Sequence, residues 1–256
     1  MKNLILLTFA IAVSMVGASD SISDATQLDY IRSKFKRNTD ASIEKLKQLP
    51  INTDSEPDLG EGFTSLYKGD GDLSGWTVLG GNHSFKASGE VIRGTCVKGS
   101  PNAFLSTTRR DYHHFIFTVE VKWEVEGNTG LMIRAQTKPG KKEGESIVFG
   151  PQVEMESPSQ GRGWSGGIYG EKAGGWHYPL VLDAHKPARK AIIPNGWNRV
   201  TVMAKGDTIK TWINGVPAAN WKNDEFNMKG FFGLQIHSGK AGTVLFRNIQ
   251  VKELQT

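Results

Sequence analysis

The strongest constraint on this chain is a period of two. From Gly62 onward the sequence breaks into short runs in which apolar and polar residues alternate, separated by clusters of Gly, Asn and Asp. Such alternation gives strands one buried and one wet face, and the closely spaced turn residues predict an all-β sandwich or barrel. Phe115 to Glu124 sets Phe117, Val119, Val121 and Trp123 against Thr118, Glu120, Lys122 and Glu124. Arg199 to Lys205 and Thr208 to Asn214 read as a hairpin across Gly206-Asp207, Asn214-Gly215 makes a further tight turn, and Thr243 to Leu254 alternates again. Thirty glycines and seven tryptophans fit a sheet protein with many turns and aromatic packing.

Before Gly62 the pattern changes. Lys2, the apolar run Leu4 to Val16 and the small residues Val16-Gly17-Ala18 read as an export signal over residues 1–18, too short to span a membrane. The expected location is secreted or periplasmic, with no later membrane span. Residues 19–60 place Leu28, Ile31, Phe35, Ile43, Leu46 and Leu49 at three- and four-residue steps among charges, which predicts one or two amphipathic helices. Pro50 and the polar run Asn52 to Asp58 read as a linker. This arm packs on the domain, stays mobile, or tethers or dimerises the protein; the sequence does not choose, and it leaves the oligomeric state open. Residues 61–256 are expected to form one domain. The net charge of +5 becomes +4 when Lys2 leaves with the leader, and the cations are scattered without a basic stripe, which argues against nucleic acid as a partner. Cys96 is the only cysteine, so no internal disulfide is possible, and it reads as a small buried hydrophobe.

Three segments put chemistry on what would otherwise be the solvated face of a strand. In Gly130 to Gln136 the period of two sets Gly130, Met132, Arg134 and Gln136 against Leu131 and Ile133. In Gly150 to Glu156 it sets Gln152, Glu154 and Glu156 against Val153 and Met155, and in Gly233 to His237 it sets Gln235 and His237 against Leu234 and Ile236. If these strands are neighbours, one face carries carboxylates, amides, a guanidinium and an imidazole, groups that make directed bonds to sugar hydroxyls. Trp164, Tyr169, Trp176 and Tyr178 are the rings available to stack on the sugar. Singly, each residue also fits a structural role: Arg134 as a salt-bridge partner, Glu154 as a surface carboxylate, His237 as a hydrogen-bonded histidine. Together they supply an anion binder and two proton carriers. Gly161-Arg162-Gly163-Trp164-Ser165-Gly166 satisfies a dinucleotide fingerprint, but no helix pattern follows it. The pairs His113-His114 and His177 to His185 lack zinc-site spacing, so no cofactor is indicated, while a divalent cation held by loop carboxylates remains compatible. Asn82-His83-Ser84 is a glycosylation sequon.

Gly62-Phe63-Thr64-Ser65-Leu66-Tyr67 followed by Asp72-Leu73-Ser74-Gly75-Trp76 resembles the opening of the 3-keto-disaccharide hydrolase domain family. The resemblance continues through Gly127-Asn128-Thr129-Gly130, Gly150-Pro151-Gln152, Ser165 to Tyr169, Trp197-Asn198, Ile213-Asn214-Gly215, Gly233 to His237 and Phe246-Arg247-Asn248-Ile249, covering Gly62 to Leu254. Many members read Gly-Pro-Glu, any residue, Gln in the central strand; here Gln152 and Glu154 stand exchanged.

The resemblance implies a concanavalin A-like jelly roll whose concave sheet holds a glycoside oxidised at C3. His237, Glu154 and Arg134 are then the expected catalytic residues, and Asn128, Gln152, Glu156, Tyr169, Gln235 and Trp176 the expected sugar-binding ones. A C3 ketone acidifies the C2 proton, so one base, one anion-stabilising group and one acid suffice to expel the C1 substituent, after which water adds back. A carbohydrate-binding module without turnover uses the same fold and face, and a surface-structural domain is a third reading.

Overall fold

A computed structural model describes residues 26–34, 40–141, 145–223 and 226–255. The expected leader, residues 1–18, and the arm's Phe35 lie outside the described residues. Two helices come first, α1 (Gln27–Lys34) and α2 (Asp40–Lys47). The strands follow: β1 (Thr64–Ser65), β2 (Trp76–Gly80), β3 (Ser84–Ser88), β4 (Val91–Thr95), β5 (Ala103–Thr107), β6 (Phe115–Val125), β7 (Thr129–Pro139) and β8 (Ser146–Met155). After them come β9 (Ile168–Glu171), β10 (Gly175–Tyr178), a short α3 (Lys186–Arg189), β11 (Asn198–Lys205), β12 (Thr208–Ile213), β13 (Val216–Lys222), β14 (Phe231–Ile236) and β15 (Thr243–Glu253).

They form two antiparallel sheets, one ordered β13-β12-β11-β6-β15-β4-β3 with β1 paired to β15, the other ordered β10-β9-β8-β7-β14-β5-β2. This is a concanavalin A-like jelly-roll sandwich. The hairpin across Gly206-Asp207 forms as expected, joining β11 to β12. Along β6 the residues Phe117, Val119, Val121 and Trp123 are buried as their alternation predicts. Between the sheets, Phe117 of β6 stacks on Phe232 of β14 with ring centroids 4.1 Å apart. Leu131, Ile133, Val153, Met155 and Leu234 join the same core from the second sheet. Each such side chain, fully buried, contributes roughly 1.5–3 kcal/mol.

The second sheet is strongly curved. Its edge strand β2 touches β8 although β5, β14 and β7 lie between them. On the concave side a separate apolar cluster of Phe104, Met132, Ala135, Val148 and Phe231 fills one half of the face.

The arm packs on the domain. Ile31, Ile43 and Leu46 enter the main core. Gln27 accepts a hydrogen bond from Trp164 Nε1 at 2.6 Å, and farther along Asn52 Nδ2 donates to the Thr211 carbonyl at 3.0 Å. Among the described residues no helix is long and apolar enough to cross a membrane.

Candidate functional site

The other half of the concave face is polar and opens into a cleft of about 660 Å³. Strand pairing builds it: Gly130 of β7 lies opposite Glu154 of β8, Met132 opposite Gln152, and Gln152 opposite Tyr169 of β9. On the far side of β7, Gly233 of β14 faces Met132, which brings Gln235 of β14 into the same row. The β9–β10 hairpin, with Glu171, Lys172 and Trp176, forms one wall, and His237 and Ser238 form the opposite rim. Gly130 makes room at the centre. A Cβ there would stand 2.5 Å from the Gln152 amide nitrogen, so any larger residue would push that side chain aside.

Glu154 lies on the floor, 3% exposed. Its two oxygens accept hydrogen bonds from Asn128 Nδ2 at 2.6 Å and Gln152 Nε2 at 2.9 Å. Burial, reinforced by Glu156 nearby, outweighs those donors and pushes the Glu154 carboxyl up to about 7. With both amide nitrogens turned to Glu154, Asn128 Oδ1 and Gln152 Oε1 are left buried with no protein partner, as are both polar atoms of the Gln235 amide. Buried amides with unmatched atoms cost about 1–3 kcal/mol each, and they occur in folded proteins chiefly where a ligand or ordered water completes them.

His237 stands one residue past the end of β14 and is exposed. Its Nδ1 lies 2.6 Å from the Ser238 carbonyl, an acceptor, so Nδ1 donates to it and Nε2 is the nitrogen left for a ligand. The rim continues from Ser238 N to Asn102 Oδ1 at 2.8 Å and from Asn102 Nδ2 to Glu171 at 3.5 Å. Burial also raises the Glu171 carboxyl above its ordinary value.

The structure brings together Glu154, His237, Asn128, Gln152, Gln235, Tyr169 and Trp176 around the cleft. Arg134 and Glu156 are corrections. Strict alternation puts Arg134 beside Glu154, but β7 carries one extra residue there: from Met132 to Gln136 it advances four positions while β8 goes from Gln152 to Phe149, three. Arg134 occupies the bulge with φ 48°, and its guanidinium donates twice to the His113 carbonyl, at 3.0 and 2.6 Å, just before β6 of the other sheet. It is wholly buried away from the cleft. Gln136, beyond the bulge, binds the Lys229 carbonyl instead. Glu156 follows the end of β8 and turns behind the cleft, where it accepts from Arg162 Nε and, at 3.0 Å, from Trp164 N.

Trp164 and Tyr178 are also not available to a sugar, being fully buried; Trp164 packs edge-on against Trp176 at 4.9 Å, and the Tyr178 hydroxyl donates to the Pro50 carbonyl. Among the described residues two cations line the cleft, Lys172 on the hairpin wall and Arg162, which lies 4.8 Å above the Trp164 ring and 5.2 Å from that of Trp176. Period-of-two reasoning reads strands, and Arg162 sits in a loop; its one sequence signal is the flanking pair Gly161 and Gly163. Asn102 and Lys172, outside the strands, escaped the same way, and Glu171 ends the four-residue strand β9, too short for alternation to read. Among the described residues no three His, Cys, Asp or Glu are grouped to hold a metal ion.

The sequence from 62 to 252 matches the family described as the 3-keto-alpha-glucoside-1,2-lyase-like domain. The chain belongs to this family. In this lyase-like domain Gln152 and Glu154 both line the cleft, the amide of the one bonded to the carboxyl of the other. Among solved structures, a candidate glycosyl hydrolase from Parabacteroides distasonis ATCC 8503 is similar with a TM-score of 0.53 at 18% identity, covering 79% of this chain and all of its own. A second protein so described from that organism gives 0.49 at 18% identity over 80% of this chain and 92% of its own. The carbohydrate-binding module CBM66 from Bacillus subtilis gives 0.42 at 15% over 70% and 96%. The first of these likenesses concerns the fold alone. No curated protein matches the sequence.

Proposed function

We propose that this lyase-like domain is an exported enzyme that cleaves glycosides oxidised at C3. The observation that carries the reading is Glu154, a carboxyl that exchanges its proton near neutrality on the floor of a cleft whose amides have unmatched hydrogen-bonding atoms. The keto sugar lies over Glu154, with its hydroxyls meeting Asn128, Gln152 and Gln235 and its ring edge against Trp176 and Tyr169. The Glu154 carboxylate takes the C2 proton. The electron pair left on C2 shifts to the C3 oxygen, and the Arg162 guanidinium balances the charge that develops there. As the C3 carbonyl re-forms, the pair returns through C2 to make a C1–C2 double bond, and the bond from C1 to the leaving oxygen breaks. That oxygen takes a proton from the rim, where His237 stands. Water then adds across the double bond: its hydroxyl goes to C1 and its other proton restores the rim donor, while Glu154 returns the abstracted proton to C2, so that both groups regain their starting states. Of the two bases that the sequence offers, burial favours Glu154, because His237 lies in the open at the edge.

The test uses the purified chain and a 3-keto-glucoside in deuterated water, with exchange at C2 and release of the leaving group followed by NMR. Replacing Glu154 with Gln is expected to lower both by roughly 10²–10⁴-fold, the usual range for a positioned general base. His237→Ala is expected to slow release and leave exchange in place. Binding without exchange or release would make the domain a carbohydrate-binding module, and release without any C2 exchange would replace elimination with direct hydrolysis.

A further inference from the structure

We infer that Asn102 is a positioning residue for the acid that serves the leaving oxygen: its side chain holds the turn that carries His237 and ties that rim to Glu171 on the opposite wall. The inference rests on the proposed reaction and names the group that keeps its rim proton donor in place.

His237 needs such a support. The ladder between β14 and β5 ends at the pair Ile236 and Ala103, and His237 lies exposed just beyond it, with its backbone N–H reaching the Asn128 carbonyl only at 3.4 Å. The imidazole leans through Nδ1 on the Ser238 carbonyl, a contact between adjacent residues that orients the ring only as well as Ser238 is itself held. Asn102 directly precedes Ala103, so its side chain takes over where the ladder stops: Oδ1 accepts from Ser238 N at 2.8 Å. A proton passes in the transition state when donor and acceptor lie within roughly 2.6–3.2 Å, and a ring free to swing at the rim is a poor acid.

Asn102 is fixed at its backbone before its side chain reaches out. Its carbonyl accepts from Gly81 N at 2.8 Å, and a Cβ on Gly80 would stand 2.5 Å from the same oxygen, so this close approach requires glycine. On the other side Nδ2 donates to Glu171 at 3.5 Å, a longer and looser contact. In the sheet β8, β7 and β14 lie between β9, which ends at Glu171, and β5, so the amide bridges the cleft from wall to rim across the curve.

The amides of the cleft divide by their partners. Asn128, Gln152 and Gln235 each keep at least one buried polar atom without a protein partner, the condition of groups that a ligand completes. Asn102 lines the same cleft with a protein partner on each polar atom. The first three are free to read a sugar; Asn102 spends its hydrogen bonds on the site itself.

The experiment uses the purified chain and two 3-keto-glucosides that differ in what leaves: a methyl glycoside, whose methoxide must be protonated as it departs, and a 4-nitrophenyl glycoside, whose phenolate departs without a proton. Asn102→Ala is expected to slow methanol release about tenfold or more, while C2 exchange in deuterated water and release of 4-nitrophenolate each change less than about threefold. Asn102→Asp keeps an acceptor for Ser238 N and gives up only the donor to Glu171, and is expected to recover most of the loss. In the His237→Ala background, Asn102→Ala is expected to add less than about twofold, since the two changes remove one function. A loss shared equally by both substrates and by exchange, no loss on either, or an undiminished loss in the His237→Ala background would overturn the inference. A wild-type chain that neither exchanges nor releases would instead overturn the proposed reaction, and this inference with it.

Discussion

At the scale of single residues, burial sets the chemistry of the cleft and leaves a mark on stability. Glu154 holds its proton up to about 7 in the fold, while the unfolded chain releases it near the ordinary 4.5. The folded state therefore binds more protons between those values, so this contribution is complete below about 4.5 and is lost as the pH rises through about 7. Wild type is expected to lose on the order of 3 kcal/mol across that window relative to Glu154→Gln, read as diverging melting temperatures in a pH series. Arg134, which the sequence offers as a catalytic residue, lies outside the cleft. Its guanidinium is held by the His113 carbonyl inside the sandwich, so Arg134→Met is expected to cost roughly 2–4 kcal/mol in denaturant unfolding while kcat/KM per folded molecule stays unchanged. Nothing local in the sequence separates the two cases, because a period of two states which face a side chain takes and is silent about a bulge that resets the count.

At the scale of elements, the arm is joined to the wall of the cleft. Gln27 of α1 holds Trp164 Nε1 and reaches the Arg162 carbonyl at 3.3 Å, and Tyr30 packs edge-on against Trp164 with centroids 5.8 Å apart. Trp164 in turn carries Trp176 and Arg162, which line the cleft. Gln27 is thus a positioning residue. Gln27→Ala is expected to raise KM for the keto sugar severalfold with kcat little changed, and Gln27→Glu, which keeps an acceptor for the indole, to recover most of the loss. Unchanged KM in both variants, with only the melting temperature lowered, would reduce the contact to packing. Helical spacing made α1 and α2 legible through Ile31, Ile43 and Leu46. Their docking was not legible, since an amphipathic stripe shows that a helix covers something without saying what.

At the scale of the whole molecule, the sandwich was legible because alternation is repeated in strand after strand, and the cleft's floor was legible because three of those strands placed polar groups where solvent was expected. Strand order and curvature were not, since both depend on pairings between distant segments: β7 lies between β8 and β14, whose sequences are far apart. The curvature has its own result. Because β2 folds over to meet β8, and Phe104, Met132 and Phe231 form an apolar cluster beneath, the polar cleft gives way along the concave surface to a plug of apolar side chains. A polysaccharide lying across the sheet, as on a flat or through-running groove, would have to pass through that apolar plug. Under the proposed reaction such a cleft would take the tip of a glycan, so the protein would trim chains from an end, one oxidised terminus at a time, and would be blind to a keto group in mid-chain.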